Sequence, residues 1–429
     1  MKIPKLFQKA LIAVVIAIIT GASVGAQPVG KPRQELLLNG LKVLIWNQPS
    51  ETVTVTLRIH AGSSFDQQGK EGTIKMLAEA IFPSDDARQF DDLGGSLDIV
   101  SNYDYIQLNA TVRKGDGYVN LLETLALAVA NPQLDKETTD LVRARVNAEG
   151  DQQASETAYL ADRIASERLF GTFPYGRPAI GTAESRAKVD FADLRFAYGR
   201  FFGADNATLT IRGPVDTDFA YRAARRFFGP WLKSDNKVPS TFKQPEMPDT
   251  SLQVLNLQSD QGAEVRHAIR GFARADSDFA ASEILTRILD SRLKRKAAID
   301  PNAKAEVRNE AHILPGQIVF AVSRISTDAK IKLYPAGESV DPKGLVAALL
   351  SEPITDAEFQ TARSAVLSSA KGLPPEAVWL DSDTYKIAPA GSQTKKLEAV
   401  TLSDLQKLAA ALRTRPLVNL WMIKGIGSE

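Results

Sequence analysis

The 429-residue sequence has no cysteine and only three histidines. Without cysteine the chain has no disulfide, no thiolate metal site and no thiol nucleophile. The histidines are His60, His267 and His312, and no two stand three or four residues apart, the spacing that sets two imidazoles on one helix face. Net charge is nearly absent, with 52 basic against 51 acidic residues, so no global field draws the chain to nucleic acid or anionic lipid. The sequence also lacks a G-x-S-x-G elbow, a Walker loop and a dinucleotide fingerprint. Its local basic clusters, Arg222/Arg225/Arg226 and Arg292/Lys294/Arg295/Lys296, read as solvated helix faces.

The first residues carry Lys2, Lys5 and Lys9 ahead of an apolar run from Leu11 to Thr20, followed by small residues up to Ala26. This is the layout of a bacterial secretory signal, and the run is short for a membrane span, which needs roughly 20 apolar residues. Cleavage after Ala26 is expected, giving a signal peptide over residues 1–26 and a periplasmic protein with no membrane contact after processing. No cysteine follows the site to take a lipid, and no twin arginine precedes the apolar run.

The remaining chain of about 400 residues exceeds what one hydrophobic core supports, so two domains are expected. Residues 233–250, KSDNKVPSTFKQPEMPDT, hold three prolines and no apolar periodicity, as a linker does. Domains over residues 27–232 and 251–429 follow. The two parts repeat one order of elements. Val53 to Ala61 alternates as a strand, as does Ala263 to Gly271, and a helical stretch follows each. Helix, turn, strand and glycine then recur in Ala192 to Gly213 and in Ser403 to Gly425. A long helical stretch is expected from Asp135 to Phe170, and His60 and His267 are read as structural residues at matching places on corresponding strands. The fold class is α+β: two homologous domains, each an antiparallel-rich mixed sheet with helices packed on one face.

Five segments then occur in a telling order: NGLKVLIWNQPS (Asn39 to Ser50), the strand ending in Ala61-Gly62-Ser63, GKEG (Gly69 to Gly72), LGGSLDIVSNYDY (Leu93 to Tyr105) and PYGRPAIGT (Pro174 to Thr182). Together they resemble the insulinase-like (pitrilysin, mitochondrial processing peptidase-like) zinc peptidases. In active members the helix after the glycine carries H-x-x-E-H, two imidazoles on one face for zinc and a glutamate as general base for the metal-bound water. Here that helix reads GTIKMLAEAIF. The resemblance sets Lys75 at the first histidine, Ala78 at the base and Glu79 at the second histidine, while VNAE places Glu149 at the family's third ligand. No catalytic residue, no metal ligand set and no cofactor are expected. Either the Lys75 ammonium lies between Glu79 and Glu149, or the three are solvated side chains.

The family's substrate-gripping Arg and Tyr of the second domain align with Ala298 and Ala305, with Arg292 or Arg295 as the nearby substitutes. The family's peptide-binding edge strand corresponds to Ser96 to Tyr103, with Asp98, Ile99 and Val100 at its centre. Backbone pairing at such an edge needs no particular side chain. The resemblance therefore implies a non-catalytic subunit that completes a peptide-enclosing chamber with a zinc-bearing paralogous partner, as heterodimer or heterotetramer. The alternatives are a stand-alone peptide-binding or chaperone-like protein and an active metallopeptidase with an unorthodox site.

Overall fold

Alternation of side chains builds both sheets of the computed structural model, which describes residues 31–234, 242–257, 262–326, 344–388 and 391–424. The expected signal over residues 1–26 and part of the expected linker lie outside these residues.

The first sheet uses β1 (Arg33–Leu36), β2 (Lys42–Asn47) and β3 (Thr52–Ile59), and after helix α1 (Thr73–Ile81) come β4 (Gln89–Phe90), β5 (Gly95–Ser101) and β6 (Ile106–Arg113). Helices α2 (Gly117–Ala130), α3 (Lys136–Ala154), α4 (Thr157–Phe170), α5 (Ala183–Ala187) and α6 (Phe191–Phe201) precede β7 (Ala207–Gly213), and α7 (Thr217–Phe228) follows it. The spatial order is β1-β2-β7-β3-β6-β5-β4, antiparallel except for the β2–β7 pair. The second sheet uses β8 (Leu252–Asn256), β9 (Ala263–Arg270), β10 (Lys304–Glu310), β11 (Gln317–Ile325) and β12 (Leu417–Ile423), in the order β10-β11-β9-β12-β8. Helix α8 (Phe279–Ala297) follows β9, while α9 (Gly344–Ser351), α10 (Asp356–Gly372), α11 (Pro375–Tyr385), α12 (Ser392–Ala399) and α13 (Leu402–Arg413) lie between β11 and β12. Its β8–β12 pair is again the parallel one. Five strands thus recur in one arrangement, and the α+β class with two antiparallel-rich sheets holds.

In β3 (TVTVTLRI) the odd positions Val53, Val55, Leu57 and Ile59 are fully buried against the sheet's own helices. The even positions face the other way, yet Arg58 is also buried. The reason lies in the other half of the chain. Helix α11 crosses this face: Arg58 Nη1 donates to Asp381 Oδ1 at 2.8 Å, and Arg212 Nε lies 2.7 Å from Glu376 Oε1. Reciprocally, α4 of the first half lays Ala161, Ala165 and Leu169 against Ala268, Val418 and Leu420 of the second sheet. Each half thereby covers the sheet face that its counterpart leaves open.

That exchange explains two departures from the sequence reading. The stretch from Asp135 to Phe170 is two helices, not one. Ser155 closes α3 through its N–H to the Asp151 carbonyl and its hydroxyl to the Gln152 carbonyl, and Glu156 is extended at ψ 115°. The break turns α4 onto the second sheet. The histidines are also not equivalent. His60 hydrogen-bonds Thr384 and Thr208, each at 3.0 Å, on the face covered by α11. His267 Nδ1 donates to Asn419 Oδ1 at 2.7 Å, on the face where Val265 and Ile269 meet the second half's own helices. The basic cluster at residues 292–296 is a further correction, because Arg292 is buried. It forms a two-point pair with Glu358 and caps the carbonyls of Leu349, Glu352 and Pro353, where α9 ends. That pairing holds Glu358 at about 2.

Burial, with the Lys386 ammonium adding to it, pushes His60 down to about 3, and burial pushes His267 down to about 4. The unfolded chain takes up these protons below the ordinary value of 6.5, whereas the folded chain refuses them. Their contribution is present above that pH and is lost progressively as the pH falls toward the depressed values, by up to about 1.4 kcal/mol per pH unit for each histidine. Urea unfolding between pH 4.5 and 7 is expected to show a shallower acid loss in the His60→Gln/His267→Gln variant than in the parent chain. Parallel curves would contradict neutral burial.

Candidate functional site

The beginning of α1 is set by backbone geometry. Gly72 adopts φ 97°, and a Cβ there would stand 2.7 Å from the Ile180 carbonyl oxygen. Gly181, at φ 73°, lies closer still to its neighbour, since a Cβ there would stand 2.1 Å from the Glu71 carbonyl oxygen. Asp66 accepts from the N–H groups of Gly72 and Ile74 at 2.8 and 2.9 Å, capping the helix. The buried Arg186 ties this loop pair to α3 by donating to the carbonyls of Ile180 and Gly181 and to Asn147. The glycines of GKEG and PYGRPAIGT are thus two sides of one tight crossing, and they fix the direction of α1.

Along α1, Lys75 and Glu79 share a face because they stand four residues apart. Glu149 comes from α3, which packs alongside. Lys75 Nζ lies 3.0 Å from Glu79 Oε1 and 2.9 Å from Glu149 Oε2. The Glu79 side chain is 5% exposed and that of Lys75 13%, so these two are not solvated surface groups, whereas Glu149 is 39% exposed. Ala78, fully buried, belongs to the core.

Two residues that the sequence reading overlooked complete the cluster. Arg88 Nη2 donates to Glu79 Oε2 at 2.6 Å, and Arg145 Nη1 stands 3.5 Å from the same oxygen. Arg145 was within reach of pattern reasoning, since it precedes Glu149 by one helical turn. Arg88 was not, because its place depends on the short helical turn after α1. Burial alone would lower Lys75, but the carboxylates of Glu79 and Glu149 more than offset it and hold the ammonium above its ordinary 10.5. Burial likewise opposes ionisation of Glu79, and Lys75 and Arg88 outweigh it, leaving the carboxyl below its ordinary 4.5.

Zinc does not fit these residues. Three cations face Glu79 and Glu149, no imidazole or thiolate of the described residues joins the cluster, and an ammonium stands between the two carboxylates. Among the described residues no three His, Cys, Asp or Glu side chains form a group that could hold a metal ion. At the position that the resemblance gives to the general base, Ala78 has no proton acceptor to offer.

Beyond Lys75 and Glu149 a cavity of about 260 Å³ opens between the halves, lined by Ser101 and Tyr103 from the first sheet and by Glu310, His312 and Gln317 from the second half. The side chain of Asp104, 1% exposed, closes one end by accepting from His312 Nδ1 at 2.8 Å and from the Ile313 N–H at 3.1 Å. Arg177 Nε and Gln317 Oε1 are buried at this cavity without a hydrogen-bond partner. Strand β5 borders it. β5 is paired along its length with β6, whereas β4 covers only Gly95 and Ser96. No described strand pairs with its outer edge from Leu97 to Ser101. Asp98 and Val100 point outward, and Ile99 is buried in the core. Ala298 and Ala305 sit at the end of α8 and in β10, and neither they nor Arg292 or Arg295 lines the cavity.

Two repeated α+β layers facing each other across a cleft, with α1 and α3 meeting at its floor, define the class of protein. The family model described as insulinase (peptidase family M16) matches residues 42–183. The chain is 25% identical over 277 residues to the probable mitochondrial-processing peptidase subunit beta of Arabidopsis thaliana, a match covering 60% of this chain and 50% of the relative. It spans about half the length of the curated relatives it matches. A protease from Helicobacter pylori superposes with TM-score 0.76 at 17% identity, over 91% of this chain and 99% of that one. The peptidase M16 inactive domain from Pseudomonas fluorescens gives the same TM-score and identity over 93% and 99%. Residues 42–183 are thus similar to the insulinase family, and the fold as a whole is shared with these solved structures.

Removing the Lys75 ammonium leaves Glu79 with Arg88 and Arg145, and Glu149 is partly hydrated. Lys75→Met is therefore expected to cost about 1–3 kcal/mol, less than the loss of an unshared buried pair. The Glu79 contribution is present above 4.5 and lost as the pH falls through its depressed value. That of Lys75 is present below 10.5 and lost as the pH rises through its raised value. Denaturant curves should show the Lys75→Met deficit unchanged between about pH 6 and pH 9. No deficit would mean that the cluster is not coupled.

Proposed function

We propose that this chain is a non-catalytic insulinase-family subunit, exported to the periplasm, that holds extended peptides in its cleft and completes a chamber with a zinc-bearing partner of the same family. The observation that carries the loss of catalysis is the Lys75 ammonium bonded to Glu79 and Glu149, where the active pattern has imidazole, metal and water. Likeness to a solved domain described as inactive supports it. The unpaired edge of β5 supports retention of peptide binding, since an incoming strand is held by its backbone. Pairing with a second subunit accords with the beta subunit of the processing peptidase among its relatives.

Co-expression with a zinc-bearing family member from the same genome tests the reading. A complex on size-exclusion chromatography, with peptide cleavage faster than that of the zinc-bearing chain alone, is expected. The Ser101 N–H faces the open edge, since the ladder to β6 uses Asp98, Val100 and Asn102. Ser101→Pro removes that donor and blocks strand addition, and is expected to lower peptide affinity at least about tenfold with the complex intact. Unaltered cleavage without complex formation would defeat the partner role. Peptide affinity together with suppressed aggregation by the lone chain would favour a chaperone-like protein. Chelator-sensitive turnover by this chain alone would establish an unorthodox peptidase.

A further inference from the structure

Away from the cleft, a groove of about 670 Å³ runs between α8, α10, α11 and α12 of the second half and shares no residue with the cavity beside Lys75. Its volume falls within the range of small-molecule pockets. Ala365, Ser369 and Ala370 of α10 line it, and side chains this short leave the space toward α8 unfilled. Protein interiors are otherwise closely packed. Phe279, Val307, Val366, Val378 and Leu397 supply apolar walls, and Leu373 at the rim is 49% exposed.

Six charged side chains also line the groove. Five of them have an opposite charge close by: Arg274 bonds Asp381 at 3.1 Å, Arg287 lies 3.8 Å from Asp290, and Lys371 lies 3.5 Å from Glu398. The sixth, Glu283 on α8, forms no ion pair among the described residues. Its Oε1 accepts from Asn309 Nδ2 at 2.7 Å. Its Oε2 accepts from no described residue and keeps surface open to solvent, so a ligand in the groove reaches it. Arg274 attracts Glu283 only from a distance and is held by Asp381 and by the rings of Phe279 and Tyr385. Burial accordingly raises the Glu283 carboxyl above its ordinary 4.5, outweighing the Asn309 bond and the Arg274 charge. A mostly buried carboxylate is costly to hold ionised until a cation joins it. The groove thus asks for a positive head with N–H donors on an apolar body. An ammonium makes a charge-assisted bond to such an oxygen, an alcohol only a neutral one, and a carboxylic acid sets a second negative group beside the first. Arg287 and Lys371 do not reverse this choice, because their side chains are more than half exposed, where ion pairs contribute little. One lysine side chain would leave most of the space empty, which selects a small alkylamine over a lysine-bearing peptide.

We infer that this groove binds a primary alkylamine in its ammonium form, the ammonium on Glu283 Oε2 and the alkyl chain along Phe279, Val366 and Leu397. The site goes beyond the cleft reading and stands on different residues. Calorimetric titration of the full chain with decylamine, at neutral pH and below the micelle concentration, tests it. Saturable binding is expected, at least about tenfold tighter than that of decanol or decanoate. Glu283→Gln keeps an acceptor for Asn309 and removes the charge. It is expected to weaken decylamine about tenfold, to leave decanol unchanged, and to hold or raise the thermal midpoint. Ala365→Phe, which fills the groove, should weaken amine and alcohol alike, and Ser101→Pro at the β5 edge should alter neither. Absence of saturable binding overturns the inference. So does decanol or decanoate binding as tightly as the amine, or decylamine affinity indifferent to Glu283→Gln. Equal competition by N-acetyl-lysine amide would make the site one for peptides and overturns it too. A marked fall in thermal midpoint for Glu283→Gln would show that the carboxylate already has its cation, with the same consequence.

Discussion

An ammonium held between two carboxylates is the constraint on which the cleft depends. Lys75, Glu79 and Glu149 hold α1 and α3 together at the place where the resemblance to zinc peptidases puts the metal ligands. A cation stands among acids there, but without the chemistry of a metal ion. An ammonium has no empty orbital to polarise water and no vacant coordination position. Arg88 and Arg145 carry the exchange further, because they turn Glu79 from a prospective donor into a fully engaged partner. Three cations against Glu79 and Glu149 leave the cluster with no excess of negative charge to attract a metal ion.

The scaffold around that site is preserved by different physics. The tight crossing of Gly72 and Gly181, capped by Asp66 and pinned by Arg186, depends on backbone shape and is indifferent to zinc. The exchange of α4 and α11 between the halves fixes the cleft walls, one by apolar packing and the other by ion pairs and hydroxyl contacts. Neither the unpaired β5 edge nor the enclosed space beside it therefore depends on an ion at α1.

Much of this was legible in the sequence because it is local. Alternation in VTVTLRIHA and AEVRHAIRG marked β3 and β9, and the helix-turn-strand repeats marked α6–β7 and α13–β12. The positions of Lys75, Ala78, Glu79 and Glu149 followed from resemblance to one motif and one helix. What escaped is long-range. Nothing near Arg58 announces that α11, more than 300 residues on, will bury it against Asp381. Arg292 read as solvated because its partners, Glu358 and the end of α9, are distant in sequence. His60 and His267 sat in similar strands, yet a difference in register sends them to opposite faces, as the period of two requires. The break at Ser155 was hidden by good helix formers on either side.

The most direct measurement is the metal content of the purified full-length chain after exposure to zinc and removal of loosely bound ion, read by mass spectrometry of the element. The account predicts well under one zinc per chain, with no change on Glu149→Gln. One tightly held zinc per chain, lost on Glu149→Gln and accompanied by peptide hydrolysis, would contradict it.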